Sequence, residues 1–344
     1  MNDPIQNHLQ TYCTNAFPAK QNLRITNLNS ISAGWESDVY SFTLEHQLAG
    51  ESARDNLILR IYPGDSARDK SAREFDGMRR LHRAGYPVPE VLVLELENSP
   101  FGQPFVIMEK IEGEMLWPLL FGGGERAQEL MTLFCKLFVD LHTLEWRPFV
   151  DDVSRYDTGN PYTFIDQMLD VARSALEQYP WLGLAPVVEW LEARRDQVPC
   201  FRPSFAHLDY HPGNILLRDD GTAIVIDWTQ VDISDPRFDL AWTLLLVGIY
   251  EGAEWRDIIL REYERLAGAQ VEQTEYFDVF VCARRLFDVL VSLSEGPEKL
   301  GMRPEAAAQM RKQMGATRKV YDLLLERTGI TLPEVEKLLD YNPT

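Results

Sequence analysis

The stretch "HLDYHPGNILLRDDGTAIVIDW", residues 207–228, sets two His, an Asp, an Asn and a second Asp around two short apolar runs. "NILLR" and "AIVIDW" read as strands joined by the polar turn "DDG". Three readings are open. His207-x-Asp209-x-His211 places alternate side chains together on an extended chain, which a zinc ion could use if a further His, Cys or Asp lay near. "HPGN" alone justifies a polar turn without chemistry. The third reading is a phosphoryl-transfer site, and the spacing favours it.

His207-x-Asp209-x-x-x-x-Asn214 has the H-x-D-x-x-x-x-N spacing of a kinase catalytic loop. Such a site needs a carboxylate to take the proton of an attacking hydroxyl, and an amide oxygen and a second carboxylate to hold a divalent metal. Asp209 fits the first role. Asn214 and Asp227, at the two ends of the hairpin, fit the others. Magnesium prefers such hard oxygen ligands.

The N-terminal part is read independently. From about residue 22 to 62 the pattern alternates and is rich in β-branched and aromatic residues, and "PVPEVLVLELE" and "QPFVIMEKIEG" add two strands. "SAREFDGMRRLHRAG" reads as a helix stopped by Gly85, and residues 5–15 as a short helix. "SAGWESDV" (32–39) overlays the phosphate-covering G-x-G-x-x-G-x-V pattern with Ser32 and Ser37 in two glycine places, Gly34 in the middle one and Val39 last. Arg60 in "LILR" falls where the strand cation is expected, and Glu74 is its helix-borne partner. After residue 113 the chain turns mainly helical, with predicted helices at 125–144, 236–250, 254–267, 272–294, 303–328 and 332–341. The apolar run "LAWTLLLVGIY" (240–250) is too short to span a bilayer and reads as a buried helix, Trp242 included. The expected organisation is α+β, with a small β-rich nucleotide-binding lobe over 1–107, a hinge at 108–113 and a large helical lobe over 114–344 that carries the loop and the substrate site.

At these residues the chain resembles the aminoglycoside phosphotransferase family of kinases. The family's "HGDLHPGN" is similar to "HLDYHPGN" here, with Leu208 for Gly and Tyr210 for Leu, and "IDWTQVDISDPRFDLA" (226–241) is similar to its "IDWE…GDPxxDLA". The resemblance implies a bilobal protein-kinase-like fold and transfer of a nucleotide γ-phosphate, from ATP or GTP with Mg2+, to a small-molecule hydroxyl. It implies Asp209 as base, Asn214 and Asp227 as metal ligands, and Asp239, His207 and His211 as supports of the loop. It also puts the adenine against the hinge backbone at Met108, Glu109 and Ile111. The chain departs from a protein kinase: Thr229 and Gln230 follow Asp227-Trp228, so D-F-G and the peptide-docking segment are missing, and Arg stands where Lys is usual.

Composition bounds the partners. Lys plus Arg is 34 and Asp plus Glu 53, a net charge of −19 that opposes nucleic-acid binding. Residues 1–107 hold 10 basic and 13 acidic groups, so most of the excess lies beyond them and suits a cationic acceptor such as an aminoglycoside or choline. Homoserine, a sugar or a macrolide are the other acceptors in view, and a non-catalytic nucleotide-binding module is the rival from another class. Trp228, Asp232, Asp235, Tyr250 and Glu251 are the candidates to line the acceptor pocket; Trp242 lies near them, but core packing is the preferred reading for it. Four well-spaced cysteines without CxxC fit a reducing cytoplasm. No membrane segment is expected, and either a monomer or a dimer is compatible.

Overall fold

The computed structural model describes residues 4–31, 37–156 and 159–340. In chain order the elements begin with α1 (Pro4–Ala16), β1 (Gln21–Ile31), β2 (Asp38–Leu48), β3 (Glu51–Ile61), α2 (Ala67–Arg83), β4 (Val91–Glu95), β5 (Phe105–Glu109) and β6 (Glu114–Met115). They continue with α3 (Leu116–Phe121), α4 (Ala127–Thr143), α5 (Thr163–Gln178), α6 (Ala185–Glu192), β7 (Ser204–Ala206), β8 (Ile215–Leu217), β9 (Ala223–Val225) and β10 (Asp232–Ser234). The remainder is helical: α7 (Pro236–Tyr250), α8 (Ala253–Ala267), α9 (Thr274–Ser294), α10 (Glu305–Lys312), α11 (Met314–Thr328) and α12 (Pro333–Asp340). Two compact units result. The first holds residues 1–114, 216–230 and 301–303; the second holds 115–215, 231–300 and 304–344.

The first unit is built on an antiparallel five-stranded sheet in the order β1-β2-β3-β5-β4. β2 and β3 pair from Asp38↔Ile61 to Leu48↔Glu51. Their two-residue link, Ala49-Gly50, has both φ angles positive, the geometry that matches strand twist in tight hairpins. β1 is irregular where Asn22 and Asn27 take φ of 52°, a conformation asparagine tolerates better than most residues. On one face α1 lays Leu9 and Cys13 against Ile25, Phe42, Leu44, Leu57, Leu59 and Phe105. Ala67, Ser71, Glu74, Met78 and Leu81 recur at helical spacing as the buried stripe of α2. That helix ends as its sequence demands: Gly85 has φ 78°, and the Tyr86 amide donates back to the Leu81 carbonyl.

The hairpin of β8 and β9 turns at Asp219, Asp220 and Gly221, whose φ is 86°. Its 216–230 portion packs with the first unit, where the Val225 amide donates to the Pro87 carbonyl. The approach at Gly113 is closer still. A Cβ there would lie 2.7 Å from the carbonyl oxygen of Leu217, so glycine is the residue this backbone contact accepts.

The second unit is mainly helical around α7, which is buried almost all round, as its unbroken apolar sequence requires. Phe238, Trp242, Leu245 and Ile249 of α7 share a core with Phe277, Phe280 and Leu286 of α9 and with Val320 and Leu324 of α11. The single helix expected over 303–328 is two, α10 and α11. The chain leaves the helical path at Gln313 (φ −103°, ψ 22°), whose side chain accepts the Tyr250 hydroxyl at 3.0 Å. β7 and β10 form a short antiparallel pair, Ser204–Ala206 against Asp232–Ser234, directly before the 207–214 loop.

Replacing Gly113 by Ala forces the 113 and 217 backbones apart and should cost about 1–3 kcal/mol. Denaturant unfolding of the two proteins side by side measures it, and equal stability would contradict the close packing.

Candidate active site

In the first unit, the alternation of β3 sends Leu57, Leu59 and Ile61 to the α1 core and Arg60 to the other face. Arg60 is largely buried there, and its guanidinium uses the whole fork. Nε donates to Ser37 Oγ at 2.7 Å, Nη1 to Glu74 Oε1 at 2.8 Å and Nη2 to Asp227 Oδ1 at 2.9 Å. Glu74, on the buried stripe of α2, also accepts the Tyr62 hydroxyl and, at 3.2 Å, the backbone amide of Trp228. Burial opposes the charge on Arg60, but the carboxylates of Asp227 and Glu74 outweigh it and hold the guanidinium well above its ordinary range. Burial likewise pushes Glu74 above the usual carboxylate range, while Arg60 pulls it down.

A lysine ammonium is a single point of charge, whereas the planar fork reaches three separate partners at once. That is a structural reason for arginine at this place. Asp227 sits at φ 65°, and its side chain stays partly open to solvent (38%). Val39 lies opposite Arg60 in the β2–β3 register. Ser32 and Gly34 of the expected phosphate turn lie outside the described residues. Within the 108–113 segment expected as a hinge, Met108 and Ile111 are buried. The amides of Glu109 and Lys110 are bonded to the carbonyls of Glu90 and Asn56, and the Glu109 carboxylate pairs with Arg218.

In the second unit, the chain leaves β7 and is caught at once. Asp239, in the first turn of α7 and wholly buried, accepts the amides of His207 at 2.6 Å and Leu208 at 2.9 Å. His142 Nε2 lies 3.3 Å from the same carboxylate. Thr243, one turn on, donates to the Tyr210 carbonyl at 2.6 Å. Tyr210 is buried, stacks on Phe138 at 3.9 Å and donates to the Phe134 carbonyl. His207 is buried, and its Nδ1 accepts the Asp209 amide at 3.3 Å. His211 Nδ1 accepts the Gly213 amide at 3.0 Å, capping the turn Pro212–Asn214.

Between these fixed residues the Asp209 side chain stays 30% exposed. Its Oδ1 accepts Trp242 Nε1 at 2.7 Å. Asn214 Nδ2 donates to the Asp209 carbonyl at 2.9 Å, which fixes the amide plane and leaves Oδ1 as the atom that can face a metal. Asn214 in the second unit and Asp227 in the first each offer a hard oxygen donor of the kind Mg2+ takes, so the chemistry of each donor fits that ion. Among the described residues no group of three His, Cys, Asp or Glu is placed to hold a metal, as a zinc site would require. The thiols offer no ready nucleophile: all four are buried, and burial pushes Cys13 and Cys200 up to about 12.

The structure thus brings together Ser37, Arg60, Glu74 and Asp227 in one unit, and His207, Asp209, His211, Asn214 and Asp239 in the other. Two residues expected to line an acceptor pocket are framework instead. Trp228 is wholly buried against Tyr86, with its indole N–H on the Val225 carbonyl. Asp235 is wholly buried as the N-cap of α7 and is paired with Arg237. Asp232 is exposed and accepts the Tyr156 hydroxyl at 3.2 Å. Tyr250 and Glu251 keep their candidacy, because Trp117 donates to Glu251 Oε1 at 2.6 Å and packs edge-on against both Tyr250 and His211. Trp117 was not signalled by any motif. Trp242 was read from the sequence as core in preference to pocket.

The sequence profile of the Phosphotransferase enzyme family matches residues 27–274, which takes in the strand cation, the helix acid and the whole loop. The chain belongs to this family. Over 199 residues this phosphotransferase is 24% identical to acyl-CoA dehydrogenase family member 10 of Mus musculus, a match that takes in 55% of this chain and 18% of that protein. Its fold is that of an aminoglycoside phosphotransferase solved with GDP and kanamycin (TM-score 0.59, 18% identity, 94% of this chain and 98% of the other). A choline/ethanolamine kinase family protein from Mesorhizobium loti shares it (TM-score 0.51, 18% identity, 91% of each chain). The expected kinase-like α+β fold is therefore the one observed.

Arg60→Met leaves Glu74 buried without its cation and should destabilise the phosphotransferase by about 3–5 kcal/mol. Adding Glu74→Gln should return part of that loss in a double-mutant cycle read by denaturant unfolding. Strict additivity of the two substitutions would mean that the pair is not coupled.

Proposed function

We propose that this phosphotransferase moves the γ-phosphoryl group of ATP or GTP to a hydroxyl of a small, cationic acceptor. The single observation that carries this reading is Asp209: a carboxylate left partly open in a loop whose neighbours are all bonded or buried. In this reading Asp209 orients the acceptor hydroxyl and takes its proton as the oxygen attacks the γ-phosphorus. Arg60, braced by Glu74, holds the α- and β-phosphates, and the backbone of 108–113 receives the base. The side chains of Asn214 and Asp227 would hold Mg2+, which when bound supplies charge neutralisation on the phosphates. Ser32, Gly34, Ser37 and Val39 would cover the phosphates. No covalent intermediate is needed, and the catalytic gain comes from placement and charge.

The cationic acceptor is supported by the excess of acid beyond residue 107 and by the Trp117, Tyr250 and Glu251 group beside His211. Aromatic faces next to a carboxylate suit an amine or quaternary amine. Solved proteins of this fold include one with kanamycin and a choline/ethanolamine kinase family member. A non-catalytic nucleotide-binding role is less well supported, since the base and both metal-ligand residues are present. We place the reaction in the cytoplasm on the strength of four unpaired cysteines.

Nucleotide consumption measured with magnesium across hydroxylated amines, aminoglycosides, sugars and macrolides should single out an amine. Asp209→Ala should lower turnover of that acceptor by at least about 100-fold while nucleotide still binds. Wild-type turnover in the variant would remove Asp209 from the mechanism.

A further inference from the structure

Trp242 lies inside the apolar run of α7 and is almost wholly buried, as a core residue would be. Yet its one polar atom points at the proposed base: Nε1 donates to Asp209 Oδ1 at 2.7 Å, the short end of the range for such a bond. The other carboxylate oxygen, Oδ2, has Asn214 Nδ2 at 3.4 Å, a much weaker approach. The two oxygens of Asp209 are therefore unequal. An indole N–H donates only and accepts nothing, so it fixes the rotation of the carboxylate and keeps a proton off Oδ1.

The tryptophan is itself held. The Arg284 guanidinium of α9 lies over the Trp242 ring, 4.2 Å from its centre. The same guanidinium donates from Nη1 to the Leu208 carbonyl at 3.0 Å, one residue before the base. Leu208 sits at φ 62°, a left-handed conformation that a branched side chain resists. One arginine thus braces both the strained backbone leading into Asp209 and the ring that grips its carboxylate.

We infer that Trp242, supported by Arg284, is a positioning residue that assigns the two oxygens of Asp209 different tasks, Oδ1 as anchor and Oδ2 as proton acceptor. This rests on the reading of Asp209 as base. In the step itself the acceptor O–H bond breaks, its proton goes to Oδ2 and the new O–P bond forms. The bond between the β-bridging oxygen and the γ-phosphorus breaks, and the nucleoside diphosphate leaves with that electron pair. Without the indole N–H the carboxylate can rotate, and the ready geometry is populated less often.

The test uses the full chain, with magnesium-ATP and water as the acceptor present in every assay, so no acceptor need be known. Trp242→Phe keeps the ring under Arg284 and deletes only the N–H. It should lower kcat for hydrolysis by about 10- to 100-fold, the range for loss of one hydrogen bond to a charged group, with KM for nucleotide unchanged. A merely structural tryptophan would instead lower the melting temperature and leave kcat of the folded protein alone, which would overturn the inference. Asp209→Ala is measured in parallel. If it is inactive and Trp242→Phe is fully active, the inference fails and the base assignment stands. If Asp209→Ala keeps full activity, both fail. Should Trp242→Phe not fold, the indole N–H resonance of Trp242 decides by NMR. It should lie downfield in the wild type and move upfield in Asp209→Ala, and an unmoved resonance would sink the inference.

Discussion

The 207–214 loop depends on a buried carboxylate. Asp239 is fully removed from water, a placement that costs several kcal/mol unless the carboxylate is well partnered. It is well partnered, by the consecutive amides of His207 and Leu208 and by His142. It also stands in the first turn of α7, where the helix dipole favours an anion. The arrangement ties the loop to the most deeply buried helix of the second unit. Because α7 also supplies Thr243 to Tyr210 and Trp242 to Asp209, three residues within about one turn of one helix set the loop's position.

The first unit solves a related problem with the opposite sign. The proposed phosphate-binding role of Arg60 requires a cation held in one place, and a solvated arginine on a strand would sweep many rotamers. Here Ser37, Glu74 and Asp227 each take one part of the fork. Glu74 is anchored in turn by Tyr62 and the Trp228 amide, so the brace is itself braced. Asp227 is drawn into the same network through its strand-end geometry. The contact couples the 216–230 segment to β3 and α2, and helps explain why that segment packs with the first unit although it follows the 207–214 loop in the chain.

Much of this was legible in the sequence because the loop's chemistry is concentrated in a short stretch with fixed spacing. Asp209, Asn214, Asp239 and the Arg60–Glu74 pair were readable as types at intervals, and the pattern of "NLILRIY" correctly predicted a strand. What escaped was burial. Trp228 and Asp235 look like pocket residues by polarity and proximity, but a sequence does not say that their N–H and carboxylate groups already have partners inside the fold. Trp242 failed in the reverse direction: within "LAWTLLLVGIY" its ring belongs to the core, and only coordinates show which way the single N–H points. The helix break at Gln313 carried no Pro, and Gly315 lies beyond it, so periodicity ran straight across.

Leu208 shows how such a site absorbs a departure from the family's pattern. Where the resembling loop has Gly, this chain holds a leucine at φ 62°, at a cost on the order of 1–3 kcal/mol. Glycine would adopt that backbone freely, but it would leave the segment before Asp209 flexible and would bury nothing. The leucine packs against the large core of the second unit, its amide is taken by Asp239 and its carbonyl by Arg284. Both backbone groups of the strained residue are thus bonded from opposite sides, by the two helices that flank the loop. The substitution is then an exchange of conformational freedom for packing, made at the residue directly before the proposed base. It is tolerable because α7 and α9 fix the backbone independently of what glycine's flexibility would otherwise provide.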